Sequence, residues 1–351
     1  MWKNIVKSVL ALALAYSAAS GSAYAETALT GAGATFPHPL YSKWFRDYQA
    51  VDSGVTFSYD AQGSGEGIRR IMAREVDFGA SDKFLSDEEL NKAPGKLLHI
   101  PTVMGAVAVT YHLPGIGSGL KLTPQALAGI YLGKVTKWND PLIAKKNAKL
   151  KLPAEEIVVV HRSDASGTTS IFTDYLSAVN ASWAKDCGKG TTVAWPAGIG
   201  AKGSNSVVKK IKETPYSIGY VEIAYALENE MDIAALKNQA GKFVKPTMLS
   251  TRAAAVQGMK KLKVKEGSEP DYRLSLVNQP GKDAYPVVGL TWLLVYRDQQ
   301  DPVKGRKLVE FLTWQLKLAE KMTSTLHYTP LPDTWSGQVG NTIRNIVVPQ
   351  Q

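Results

Sequence analysis

Short apolar runs alternate along this chain with segments whose apolar residues recur every three or four positions. Val55-Thr56-Phe57-Ser58-Tyr59 reads as a strand. Residues 67–75 read as a helix with Ile68, Ile71 and Met72 on one side. Val76-Asp77-Phe78-Gly79-Ala80 is a second short strand, and Ser86-Asp87-Glu88-Glu89 is a capping box that opens a helix. Residues 98–102 and 103–111 form apolar strand runs, the second long and buried. Thr123-Pro124 starts another helix, with Pro at its first position. A strand over 157–160 precedes a helix over 166–179, and Ile218-Gly219-Tyr220-Val221 is a further strand. A long apolar strand over 287–296 and a long amphipathic helix over 304–322 close the series. Alternation of this kind predicts an α/β protein with mostly parallel central sheets and helices on both faces. Residues 237–277 are Lys-rich and their pattern assigns no element.

Three small-residue loops each open a helix. The first is Gly31-Ala32-Gly33-Ala34-Thr35-Phe36-Pro37, followed by a helical spacing of Tyr41, Trp44, Phe45 and Tyr48. The second is Gly63-Ser64-Gly65-Glu66-Gly67. The third is Arg162-Ser163-Asp164-Ala165-Ser166-Gly167-Thr168-Thr169, just after a strand. A helix start presents unpaired N–H groups and a partial positive charge, which together attract anions. Ser and Thr add hydroxyl donors, and Arg162 adds a planar fork that Asp164 is close enough to orient. Each loop alone says little, because Thr35, Ser64 and Ser166 would equally serve as helix caps. The combination of three loops with one Arg is the informative feature. GxGxxG fails at Phe36 and GxxxxGK[ST] is absent, which disfavours dinucleotide and P-loop sites.

Asp82, in Gly79-Ala80-Ser81-Asp82, follows a strand. As a site residue it would accept a hydrogen bond from a protonated oxyanion. Phosphate near neutral pH carries a proton and sulfate does not, so a buried acceptor here would discriminate between them.

The chain has 351 residues, with 44% apolar and 21% charged, which excludes disorder and coiled coil as whole-chain descriptions. The length suits two domains. Forty-one Lys and Arg against 31 Asp and Glu give a net charge of +10. The Lys lie in short separate groups (145, 146, 149 and 151; 209, 210 and 212; 260, 261, 263 and 265) that read as solvated faces rather than a nucleic-acid arm. One cysteine, Cys187, permits no disulfide framework and no Cys-based zinc pattern. Residues 1–25 read as a secretory signal peptide: Lys3 and Lys7, an apolar run over 9–19, and Ala23-Tyr24-Ala25 as the cleavage site. Cleavage after Ala25 would leave a soluble, periplasmic protein.

With these residues in place, the sequence resembles the periplasmic phosphate-binding proteins of Pst-type ABC importers, from about residue 29 to residue 332. The motifs that carry the resemblance are Gly31 to Pro37, Val76 to Asp82, Tyr131-Leu132-Gly133-Lys134, Lys137-Trp138-Asn139-Asp140, Arg162 to Thr168, Lys202-Gly203 and Ile218-Gly219-Tyr220-Val221-Glu222, in the family's order. The resemblance implies a two-domain, type II periplasmic-binding-protein fold that closes on phosphate in a cleft between domains. It places domain I at 26–103 plus 289–351 and domain II at 104–288. Carried over, Thr35, Phe36 and Ser64 donate to the ligand, Asp82 reads its proton, Arg162 held by Asp164 pairs with it, and Ser166, Gly167 and Thr168 donate from the third helix start. It implies no catalytic residue, metal or cofactor, a monomer, and membrane permease subunits as partners. Glu66, beside the second loop, is expected to point outward. The apolar Val288-Gly289-Leu290 departs from the family's expected hinge contacts.

Other functions remain open at the level of residues. A phosphatase could use Ser166 or Ser64 as nucleophile with Arg162 as clamp. The five His (38, 99, 112, 161 and 327) are scattered, and neither a metal cluster nor a base for a Ser nucleophile is evident. A sulfate or molybdate binder would leave Asp82 nothing to accept. A scaffold or adhesin would require neither Arg162 nor Asp82.

Overall fold

The computed structural model describes residues 26–260, 262 and 270–350. The expected leader and Lys261, Lys263 and Lys265 lie outside the described residues. Among the described residues, thirteen strands run in chain order: β1 (Thr27–Gly33), β2 (Val55–Asp60), β3 (Phe78–Ser81), β4 (Leu97–His112), β5 (Lys121–Leu122), β6 (Val158–Arg162), β7 (Ile199–Ala201), β8 (Ser217–Glu222), β9 (Asp232–Ile233), β10 (Ala235–Lys237), β11 (Phe243–Val244), β12 (Val288–Tyr296) and β13 (Thr329–Pro330). The main sheet runs β2-β1-β3-β12-β4-β8-β6-β7, with β13 and β9 also paired to β4.

The sheet is mixed. Its two wings are parallel, β2-β1-β3 on one side and β8-β6-β7 on the other. The centre is antiparallel, because β4 and β12 run in opposite directions between the wings. The mostly parallel arrangement expected from sequence therefore holds in the wings only. Alternation of strands and helices specifies the crossover units but does not reveal two long strands running against them.

Strand β4 is one element where the pattern gave two runs. Its first part, to Ala106, pairs with β12, and its second part, from Val107, pairs with β8. At Pro101 the register between β4 and β12 slips, so that Thr291 faces Val103 and Trp292 faces Pro101. Proline has no N–H to give the ladder, and a bulge accommodates it. The extra residue, Thr102, turns its hydroxyl to Tyr41 Oη (2.8 Å) and donates to the Thr291 carbonyl (3.3 Å).

Helices follow where the apolar spacing places them, with shifted ends. The helix His38–Val51 buries Tyr41, Trp44, Phe45 and Tyr48. Phe45 stacks on Phe57 (4.6 Å), and Phe57 meets Phe311 from the helix Pro302–Thr323 (4.7 Å), which packs that helix onto the first wing. In the second wing Phe172 lies between Tyr131 (4.8 Å) and Tyr220 (4.3 Å). The helix expected over 67–75 instead occupies Ser64–Met72. The loop glycines form its first turn, and Arg74 leaves it with φ of 55°. The strand expected over 76–80 moves to Phe78–Ser81, with the Asp77 carboxylate held by the Thr30 amide and hydroxyl and by Lys304. The unassigned stretch holds the end of β10, β11 and a helix, Met248–Met259. No helix among the described residues is long and apolar enough to cross a membrane.

Candidate anion-binding site

Parallel strands release their loops at their carboxyl ends, and helix starts collect there. Five such exits meet in this protein. β1 leads to Thr35 and Phe36, β2 to the helix Ser64–Met72, and β3 to Asp82. β6 leads to the helix Gly167–Val179, and β7 to the helix Gly203–Glu213. The first three come from one wing and the last two from the other.

Contact across the wings is close. The Gly65 amide donates to the Ala165 carbonyl at 2.9 Å. Gly63 holds φ of 106°, and a Cβ there would lie 2.5 Å from Asp164 Oδ2. That position requires glycine on both counts. A Cβ on Gly167 would lie 2.3 Å from Ser64 Oγ and 2.6 Å from Asp82 Cβ and Oδ2, so the third helix start sits directly on Ser64 and Asp82.

Asp82 is buried. Its Oδ2 accepts from Ser64 Oγ at 3.4 Å, and its own amide donates to Ser64 Oγ at 3.1 Å. Its Oδ1 is buried with no protein hydrogen-bond partner. Burial pushes the carboxyl up to about 7, against the pull of the Thr291 hydroxyl, the Arg162 charge and the Ser64 hydroxyl. It is poised between acceptor and donor near neutral pH.

Arg162 is 3% exposed. Its Nε donates to Asp164 Oδ1 at 2.7 Å, its Nη2 to Asp164 Oδ2, and its Nη1 to Ser204 Oγ at 3.3 Å. A guanidinium carries five N–H groups, so one remains on each terminal nitrogen. Burial alone would raise Asp164, but its bonds to Arg162, the Arg162 charge and the Gly203 amide (2.9 Å) hold it below the usual carboxylate range. Asp164 thus stays ionised and fixes the guanidinium plane.

At the third helix start, Ser166 is the cap. Its hydroxyl accepts from the Thr169 amide (3.1 Å), and its amide donates to the Thr191 carbonyl (2.9 Å), which leaves its O–H as the group still able to donate. Gly167 and Thr168 are in the first turn, where amides have no intrahelical acceptor. Thr168 Oγ1 is buried without a protein partner. Thr169 Oγ1 meets Tyr220 Oη at 2.6 Å, and the Arg162 amide donates to the same Oη at 3.3 Å. That links the helix start to β6 and β8.

In the first loop, the Thr35 carbonyl accepts from Tyr225 Oη (2.5 Å) and the Phe36 carbonyl from Tyr328 Oη (2.7 Å). Both carbonyls are tied back by tyrosines. The Phe36 ring is fully buried, edge-on to Tyr328. Thr35 Oγ1 lies 2.9 Å from Ser204 Oγ. Glu66, expected only to point outward, is partly exposed and pairs with Arg69 on its own helix (2.8 Å).

Thr35, Ser64, Asp82, Arg162, Asp164, Ser166, Gly167 and Thr168 therefore lie in one connected set, with Phe36 beside Thr35. Sequence reasoning missed Ser204, Tyr225 and Thr291. Lys202-Gly203-Ser204 is a fourth small-residue loop opening a helix, so the signal that found the other three would have found it. Tyr225 and Thr291 gave no signal, since each reads as a core residue. The Val288-Gly289-Leu290 segment makes an apolar contact: a Cβ on Gly289 would lie 2.1 Å from Ile171 Cδ1.

Residues 18–317 match the family model of the PBP superfamily domain. A phosphate-binding protein PstS of Pasteurella multocida is 39% identical over 330 residues, which span 94% of this chain and 93% of the relative. The chain belongs to the PstS phosphate-binding protein family. Solved structures agree with this family's fold. One, a high-affinity periplasmic phosphate-binding protein bound with phosphate, superposes with a TM-score of 0.70 at 21% identity, over 92% of this chain and 100% of that one. Another, an ABC-type phosphate transport receptor from Vibrio cholerae, gives a TM-score of 0.55 at 15% identity, over 87% and 100%. At these identities the likeness bears on the fold, which is that of a type II periplasmic-binding protein.

Proposed function

We propose that this PstS-family chain captures inorganic phosphate between its two wings by hinge closure and delivers it to the permease subunits of an ABC importer, acting as a monomeric periplasmic protein after cleavage behind Ala25. The observation that carries the reading is Asp82: one buried acceptor with an unpartnered oxygen, set among helix-start amides, hydroxyls and the remaining N–H groups of Arg162. Thr35, Phe36, Ser64, Arg162, Ser166, Gly167 and Thr168 donate to the phosphate oxygens, Asp164 orients Arg162, and Asp82 accepts the phosphate proton. In this reading domain I is 26–103 plus 289–351 and domain II is 104–288, with β4 and β12 as the crossing strands. The serines act as donors rather than nucleophiles, in keeping with Ser166 being committed to Thr169 as a cap and with a relative named as a binding protein.

Calorimetric titration of the anion-free mature protein with phosphate, then sulfate, at neutral pH tests this. Tight one-to-one phosphate binding without sulfate heat is expected. Folded protein that gives no phosphate heat would remove the proposal.

A further inference from the structure

Ser204 is 1% exposed at the start of the helix Gly203–Glu213, and it touches both sides of the site. Its Oγ accepts from Arg162 Nη1 at 3.3 Å and lies 2.9 Å from Thr35 Oγ1 on the other wing. A hydroxyl has one proton and two lone pairs, and a guanidinium only donates. The bond with Thr35 could therefore run either way. If Thr35 donated, Ser204 would accept twice and its own buried proton would be left unpaired, which is costly. If Ser204 donates, its buried proton is paired and only the Thr35 proton has no partner within the line. The Thr35 proton is then free for an acceptor.

We propose that Arg162, Ser204 and Thr35 form a directional hydrogen-bond relay in which Ser204 is a positioning residue, holding the Thr35 hydroxyl with its proton turned toward a bound phosphate. The relay rests on the phosphate reading above. It makes the Thr35 hydroxyl an obligate donor and gives it some of the polarising effect of the Arg162 charge. It also couples the wings, since its last bond crosses between them.

The test is a double-mutant cycle on the anion-free mature protein, with inorganic phosphate as titrant. Ser204→Ala is expected to weaken phosphate binding about tenfold, the loss of one oriented hydrogen bond. In a Thr35→Val background the same change is expected to cost less than about threefold, because the proton it directs is gone. Ser204→Thr, which keeps the hydroxyl, is expected to bind like wild type. Ser204→Cys, similar in size and a weak donor, is expected to follow Ala, and it serves where Ala lowers the unfolding temperature. Equal losses from Ser204→Ala in both backgrounds, or no loss in either, would overturn the relay and leave the phosphate reading standing. Wild-type protein that does not bind phosphate would overturn both.

Discussion

The Gly65 amide donates to the Ala165 carbonyl across 2.9 Å, tying the second helix start of one wing to the third loop of the other. Between glycine and alanine neither side chain holds the wings apart, so backbone meets backbone. The groups proposed to face the anion then converge from both wings without a bulky residue between them.

Gly167→Ala tests whether this close contact is the binding geometry. The added methyl would fall 2.3 Å from Ser64 Oγ and 2.6 Å from Asp82. Hinge opening, as proposed for the anion-free protein, would draw Gly167 away from Ser64 and Asp82 and relieve this clash. The anion-free variant is then expected to unfold close to wild type, yet to lose phosphate affinity by about 100-fold or more, two lost donors or their equivalent. Thermal melts and calorimetry read the two effects separately. Affinity equal to wild type would show that binding does not require this juxtaposition.

Arg162→Ala is expected to weaken phosphate binding by at least about 100-fold, since it removes two charge-assisted donors and leaves Asp164 without its partner. Arg162→Lys is expected to recover little, because an ammonium cannot reproduce the planar fork. Asp164→Asn keeps the size but not the charge and is expected to fall between. Retained affinity in Arg162→Ala would remove the site assignment.

Asp82→Asn is expected to admit sulfate. The amide can always donate to a fully ionised oxygen, whereas the Asp82 carboxyl donates only when protonated and otherwise repels it. Competition titration of phosphate-loaded protein with sulfate measures this directly. Sulfate rejection unchanged from wild type would end the proton-reading account.

Asp82 also predicts a pH dependence. Its carboxyl is raised from 3.8 to about 7 by burial, so the anion-free folded protein binds this proton more tightly than the unfolded chain. The stability it contributes is complete below pH 3.8 and is lost as pH rises through about 7. Anion-free Asp82→Asn is therefore expected to gain in unfolding temperature over wild type at pH 8, and not at pH 4. A difference independent of pH would mean that Asp82 is not the titrating group.

Much of the site was legible because its parts are local. A loop of small residues before a helix is written in five or six consecutive positions, and Arg162 and Asp164 are two apart, so their ion pair needs no fold to be foreseen. Phe36 and Gly167 are likewise placed by their loops. Strand and helix identity followed from apolar spacing, with ends shifted by the left-handed Arg74 and by the glycines that joined the helix Ser64–Met72. Thr291 and Tyr225 escaped notice because nothing near them in sequence distinguishes a core residue from one whose hydroxyl enters a site.

The sequence by itself determined the donor-rich loops, the single Arg with its carboxylate, and the alternation that makes an α/β protein, since these depend on neighbours along the chain. The tertiary structure decided which loops face one another, that the sheet is antiparallel at its centre, and that Ser204 stands between Arg162 and Thr35. The physical reason is separation. Thr35 and Ser204 are 169 positions apart and Thr35 and Tyr225 are 190. Their meeting depends on the packing of two wings around β4 and β12, which no local pattern encodes.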